Sequence, residues 1–183
     1  MAPAAVFGSS LAAVIALCLI LRHPRVVRGA ILHEPAFRPL YDDPEEVKRT
    51  AGARIAEGMR SGGPREAIER FYRFVGGDAN WEGLDPELRE RVRASANTYL
   101  EIERGAIATY LPDEPTLAGV ATPIQLLVGE QSLPYFAQAA GRLAKRLGVE
   151  ITSTAGTHLG YLDHPVELAE TMRPFLRAVS GVT

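Results

Sequence analysis

The stretch "VFGSSLAAVIALCLILRHP", residues 6–24, carries no charge before Arg22. Three structures compete for it: a membrane anchor, a secretory signal, or a strand that turns sharply into a buried helix with a serine at the bend. It approaches the ~20 apolar residues needed to cross a bilayer. Arg22, Arg25 and Arg28 follow it as a basic flank would. A secretory signal requires positive charge ahead of its apolar part and a small-residue cleavage site behind it. Here no Lys or Arg precedes the run, and "LCLILRHP" is a poor cleavage site. Gly8, Ser9 and Ser10 favour a turn over a continuous helix.

A strand bending into a buried helix also agrees best with the neighbouring residues. Residues 3–8 ("PAAVFG") are a short strand ending in glycine, and 11–22 ("LAAVIALCLILR") are a helix apolar on nearly every side, which must be buried. Pro24 ends the helix, and "VVRGAILHEP" is a second strand closed by Pro35. Strand, helix and strand in that order, rich in Val, Ile and Leu, form the pattern of a parallel sheet.

The chain has 183 residues, enough for one domain with a real core. Its 20 basic and 22 acidic side chains are spread along the sequence, so there is no electrostatic footprint for nucleic acid or anionic lipid. A lone cysteine, Cys18, excludes an internal disulfide, reads as an inert buried thiol and fits a reducing, cytoplasmic compartment.

From Tyr41 to about Leu111 the grammar is helical. "DDPEEVKRTAGARIAEGMRSGG" starts on acidic residues around Pro44 and stops on paired glycines. "PREAIERFYRFVGG" repeats that pattern, and "DPELRERVRASANTYLEIERGAIATYL" reads as a third, longer helix. Trp81, Phe71, Tyr72 and Phe74 are mostly the core of this insert, with one or two free to touch an apolar ligand. Strand grammar returns in "TPIQLLVGE", followed by a helix over about 134–147, a strand in "VEITSTAG", a loop in "THLGYLDHP" and a closing helix on which Leu168, Met172, Phe175 and Leu176 face inward. The expected division is 1–35, 36–120 for the helical insert, and 121–183.

Gly8, Ser9, Ser10, Leu11 and Ala12 come close to the G-x-S-x-G nucleophile elbow, which holds a serine in a strained turn and so needs very small neighbours two positions away. Ala12 stands in place of the second glycine. "GSS" is equally an ordinary turn or a helix cap. His158, in a glycine-flanked loop between a strand and the last helix, supplies the base that such a nucleophile requires. His158, Asp163 and His164 lack a further ligand at metal-site spacing, and "LDHP" reads more simply as the cap of the closing helix. His33 receives no chemical role.

With the helical insert, these residues make the chain resemble the α/β-hydrolase family over essentially its whole length: elbow, helix and next strand first, then a cap, then the last two strands with the histidine loop. The resemblance implies a partial α/β-hydrolase fold, a short parallel sheet flanked by helices with an all-helical cap. It implies Ser10 as nucleophile, His158 as general base and the Leu11 backbone N–H as one oxyanion donor. For the acid it leaves two candidates. Ser132 occupies the position of the family's usual Asp, with Glu130 two residues early, while Glu34 ends the strand after the elbow, and Glu34 is favoured. The family's further strands and second oxyanion loop would precede the elbow, but seven residues stand before Gly8, so the chain reads as a C-terminal portion.

The expected function is that of a serine hydrolase forming an acyl-enzyme with a small ester, lactone or related carbonyl substrate. No cofactor or metal, and no nucleic-acid or membrane partner, is expected. A serine at the elbow argues against the epoxide hydrolase and dehalogenase relatives, which place Asp there. The alternative is a catalytically silent fragment that associates, as a homo-oligomer or with another segment, through an exposed sheet edge.

Overall fold

The computed structural model describes residues 3–106 and 110–181. Its elements run β1 (Ala4–Ser9), α1 (Leu11–Arg22), β2 (Val27–His33), α2 (Pro44–Gly76), α3 (Asp78–Gly83), α4 (Pro86–Ala94), α5 (Ala96–Thr98), α6 (Arg104–Ala106), α7 (Glu114–Ala118), β3 (Ile124–Gly129), α8 (Pro134–Leu147), β4 (Ile151–Thr154), α9 (Gly160–Asp163) and α10 (Pro165–Ser180). The four strands form one parallel sheet in the order β1-β2-β3-β4.

Both faces of the sheet are covered, and the period of two along each strand sorts the side chains between them. Ala30, Leu32, Leu126 and Val128 pack against Ala13, Leu17 and Ile20 of α1 and against Ala140, Leu143 and Leu147 of α8. Ile31 and Leu127, one position out of phase, pack against Leu168, Met172, Phe175 and Leu176 of α10. In α8 the buried positions 136, 139, 140, 143, 144 and 147 recur at three and four, the spacing of one helical face. α1 departs from its expected all-round burial: Ala13, Val14, Ala16, Leu17 and Ile20 are buried, but Ile15 is 59% exposed. Cys18, expected to be buried, is half-buried. At 12 residues α1 falls well short of a bilayer, and among the described residues no helix is long and apolar enough to cross a membrane.

Between β2 and β3 the chain is helical. α2 carries its expected break: Gly63 takes φ 73° inside it, immediately before Pro64, so the two helices join across a kink. Asp43 caps α2 by accepting the Glu46 N–H, and Asp85 caps α4 by accepting those of Glu87 and Leu88. Trp81 is the fully buried centre of this layer, packed with Ile68, Leu84, Val92 and Ala96. The Arg73 and Arg93 guanidinium groups lie over its ring at 5.8 and 5.6 Å, and both are held by Glu69. The third helix is not continuous as expected. It breaks at Ser95, whose hydroxyl donates to the Val92 carbonyl, and Tyr99–Glu103 winds as a π-helical turn; residues 107–109 of that expectation lie outside the described residues.

The parallel register places Ser9 beside His33, His33 beside Leu127 and Gly129 beside Thr154. All four strands therefore end along one edge of the sheet, where loops of different sequence origin meet. The turn from β1 into α1 depends on Gly8. A Cβ there would stand 2.3 Å from the Ala12 carbonyl oxygen and 2.6 Å from the Ala13 nitrogen, both backbone atoms of the returning helix. Gly8→Ala is expected to lower the unfolding free energy by about 2 kcal/mol or more, measured by urea denaturation, because the crowded atoms cannot rotate away. A change within experimental scatter would show that β1 and α1 approach less closely than these distances imply.

Candidate active site

Ser10 stands between β1 and α1 at φ 57°, ψ −120°, a positive-φ conformation that a residue with a side chain rarely adopts. Its N–H donates to the His33 carbonyl at 2.9 Å and its carbonyl accepts from Ala13, Val14 and Ala36, so both ends of the turn are tied down. The alternative of an ordinary helix cap does not apply, because the Ser10 side chain makes no capping hydrogen bond. Leu11 is the first residue of α1, whose N–H has no acceptor within the helix.

Among the described residues the only other non-glycine residue with positive φ is Glu34, at 45°. That conformation folds the chain back at the end of β2. The Glu34 N–H donates to the Leu127 carbonyl at 3.0 Å, while Oε1 accepts the Gly129 N–H at 2.8 Å. Oε2 is then free to meet His158 Nδ1 at 2.6 Å, with both side chains buried. Burial alone would raise the Glu34 carboxyl, but the hydrogen bond and charge of His158, with smaller help from His33 and Ser132, outweigh it and hold the group below its ordinary range. A carboxylate can only accept, so the His158 Nδ1–H is the donor. The ring itself stacks on Phe136, 3.7 Å between centroids and 6° from parallel. Glu130 faces elsewhere: it is exposed and accepts from the Ser153 hydroxyl at 3.1 Å. Of the two glutamates left open by the sequence, Glu34 is the one beside His158.

The loop bearing His158 is not unstructured. Residues 160–163 form α9, and Asp163, expected within the cap of α10, instead turns back: it accepts from the Thr157 hydroxyl at 2.6 Å and from the Asn80 amide at 3.1 Å, with His164 Nδ1 at 3.0 Å. His164 occupies the first cap position of α10 without a side-chain cap bond. Thr157 in turn accepts the Leu159 N–H, so the residues on both sides of His158 are fixed. No cluster of three potential metal ligands occurs among the described residues.

His33, given no role from sequence, is fully buried beneath the elbow with Nδ1 2.9 Å from the Ser9 hydroxyl. Its ring lies 6.3 Å from that of His158. Burial drives the His33 imidazole down to about 4, with His158 adding to the shift and Glu34 and Asp163 opposing it. It is therefore neutral at physiological pH.

Ser10, Leu11 and His158 line one cavity of about 240 Å³, walled by the aromatic residues Tyr41, Phe71, Tyr72, Tyr99, Tyr135 and Tyr161. Phe71 and Tyr72 come from the helical insert, as expected, whereas Trp81 is wholly core. Burial lifts the Tyr99 phenol, while the positive charges of Arg104 and Arg38 pull in the opposite direction. Tyr72 and Tyr161 are also lifted, mainly by burial, with the negative charge of Glu103 adding to it.

The fold is that of the α/β-hydrolases. No protein-family model matches the chain. An uncharacterised hydrolase of Bacillus subtilis, YraK, is 30% identical over 181 residues, which cover 95% of this chain and 64% of the relative, so the chain spans somewhat less than two thirds of that protein. Among solved structures, carboxylesterase CesB of B. subtilis is 22% identical and matches 96% of this chain and 60% of its own at a TM-score of 0.69. A carboxylesterase of the thaumarchaeon Nitrososphaera is 16% identical and matches all of this chain and 67% of its own at 0.73. The chain thus has the α/β-hydrolase fold, and the proteins it resembles are hydrolases and carboxylesterases by name.

The His33 geometry has a pH signature. Its native value of about 4 lies below its ordinary 6.5, so between those values the unfolded chain takes up a proton that the native chain refuses. Stability falls over that window, by an amount on the order of 3 kcal/mol, and His33 contributes no further loss below it. Unfolding free energies measured from pH 7 to 4 should show this slope, and His33→Gln should flatten it. An equal slope in parent and variant would contradict the burial of a neutral imidazole.

Proposed function

We propose that the chain carries the catalytic centre of a serine hydrolase that cleaves small esters or lactones through an acyl-enzyme. The observation that supports this most is the sharing of one cavity by Ser10, whose hydroxyl is not spent on capping, and His158, whose Nδ1 is held by buried Glu34. The names of the relatives support the same reaction class.

In this reading Ser10 Oγ attacks the carbonyl carbon while its proton passes to His158 Nε2, the ring nitrogen that Glu34 leaves unused. Glu34 keeps the proton of Nδ1 in place and balances the imidazolium that forms. The carbonyl oxygen gathers negative charge facing the Leu11 N–H. Collapse of the tetrahedral adduct breaks the ester bond, and the departing alcohol takes the proton from Nε2. Water then repeats the sequence on the acyl group, returning Ser10 and releasing the acid. The cavity volume lies below the ~300–1,000 Å³ usual for drug-sized ligands, which favours a short acyl or alcohol part.

A fluorophosphonate probe should label the parent chain and fail to label Ser10→Ala, with p-nitrophenyl acetate turnover lost in parallel. Glu34→Gln, which keeps the shape but removes the charge, should fold and lower kcat by a factor on the order of 10³–10⁴. Absence of labelling in the parent, or full activity in Glu34→Gln, would refute the assignment.

A further inference from the structure

The walls of the cavity are not uniformly apolar. Arg38, in the short 3-10 turn Arg38–Leu40 that follows Glu34, and Arg104, at the start of α6, reach it from separate parts of the chain, and both are half-buried. Neither lies within ion-pair distance of any carboxylate among the described residues, which include every Asp and Glu side chain of the sequence. The other half-buried arginines of the helical insert differ in this respect. Arg70, Arg73, Arg89 and Arg93 each meet a glutamate at 3.0 Å or less.

A half-buried guanidinium without a carboxylate beside it gives up part of its hydration without an ion pair to offset the loss, whereas a carboxylate ligand supplies charge-assisted, often two-point, hydrogen bonds. Two other charged groups line the space. Lys48 is exposed and 3.2 Å from Glu45, so its charge is already met. Glu103 has no cationic partner within ion-pair distance among the described residues, and its field acts on Tyr72 and Tyr161, while those of Arg38 and Arg104 act on Tyr99. Among the side chains that line the cavity, Arg38 and Arg104 face the single carboxylate of Glu103, while the negative charge of Glu34, which also reaches Tyr41 and Tyr135, lies behind His158 and is engaged by it.

We propose that this cavity takes a small ester that also bears a free carboxylate, held by Arg38 and Arg104 while the ester end lies at Ser10. The substrate class is thus a half-ester of a short dicarboxylic acid or an equally small anionic ester. This assignment rests on the acyl-transfer reading of the same cavity, but its test can be separated from it. The probes are monomethyl glutarate and its neutral counterpart of the same shape, methyl glutaramate.

Binding of each to the Ser10→Ala chain, followed by calorimetry, requires no turnover. The acid should bind on the order of tenfold tighter than the amide, with the difference shrinking in high salt. Arg38→Gln and Arg104→Gln should each reduce that ratio, and Arg104→Lys should keep part of it. Because the comparison of the two ligands is made on one protein, it stands even if an arginine variant fails to fold. Equal affinities, tighter binding of the amide, or no measurable binding of either would overturn the assignment. Methanol release by the parent chain then separates the two claims. Preferential binding of the acid without turnover or probe labelling keeps the carboxylate site and removes the serine mechanism. Probe labelling with no preference between the ligands does the reverse.

Discussion

The contact between Glu34 and His158 joins residues 124 positions apart, and the geometry of the site depends on it. A buried carboxylate is costly unless every oxygen is engaged. Here one oxygen takes the Gly129 N–H and the other the imidazole, so β2, β3 and the histidine loop are bound to a single side chain. Glu34 meets both partners while folding back at positive φ, so the strain at that residue and the order of the loop belong to one arrangement.

The same economy appears at Ser10. The described chain holds just two non-glycine residues at positive φ, and they are the serine at the elbow and the glutamate behind the histidine. Each is held by backbone hydrogen bonds to a neighbouring strand: Ser10 to His33, Glu34 to Leu127. The sheet thus provides the rigidity, and a core in which Leu17, Ile31, Leu32, Leu126 and Leu127 are almost wholly buried provides the free energy that offsets the strain.

Much of this is legible in the chain because it is written locally. Gly8 to Ala12 announces the turn, the apolar run announces the helix, and Pro24 and Pro35 bracket the second strand. α1 spans Leu11–Arg22, the range its composition implies. What escapes the sequence is set by partners far away. The choice between Glu34 and Glu130 depends on where a loop 124 residues later comes to rest. Asp163 reads as a helix cap until Asn80, 83 positions earlier, is seen to donate to it. His33 shows no local sign of its burial against Ser9, and the breaks around Ser95 and Tyr99 arise where the third helix must both pack on Trp81 and line the cavity.

A buried carboxylate that holds the Nδ1 proton of His158 is the feature on which the site stands or falls. Proton NMR of the folded chain tests it most directly, since an imidazole N–H shared with a charged oxygen over 2.6 Å is shielded from exchange and strongly deshielded. The expected result is a far-downfield resonance that disappears in both His158→Ala and Glu34→Gln. A folded chain lacking that resonance, or one that keeps it in Glu34→Gln, would contradict the pairing.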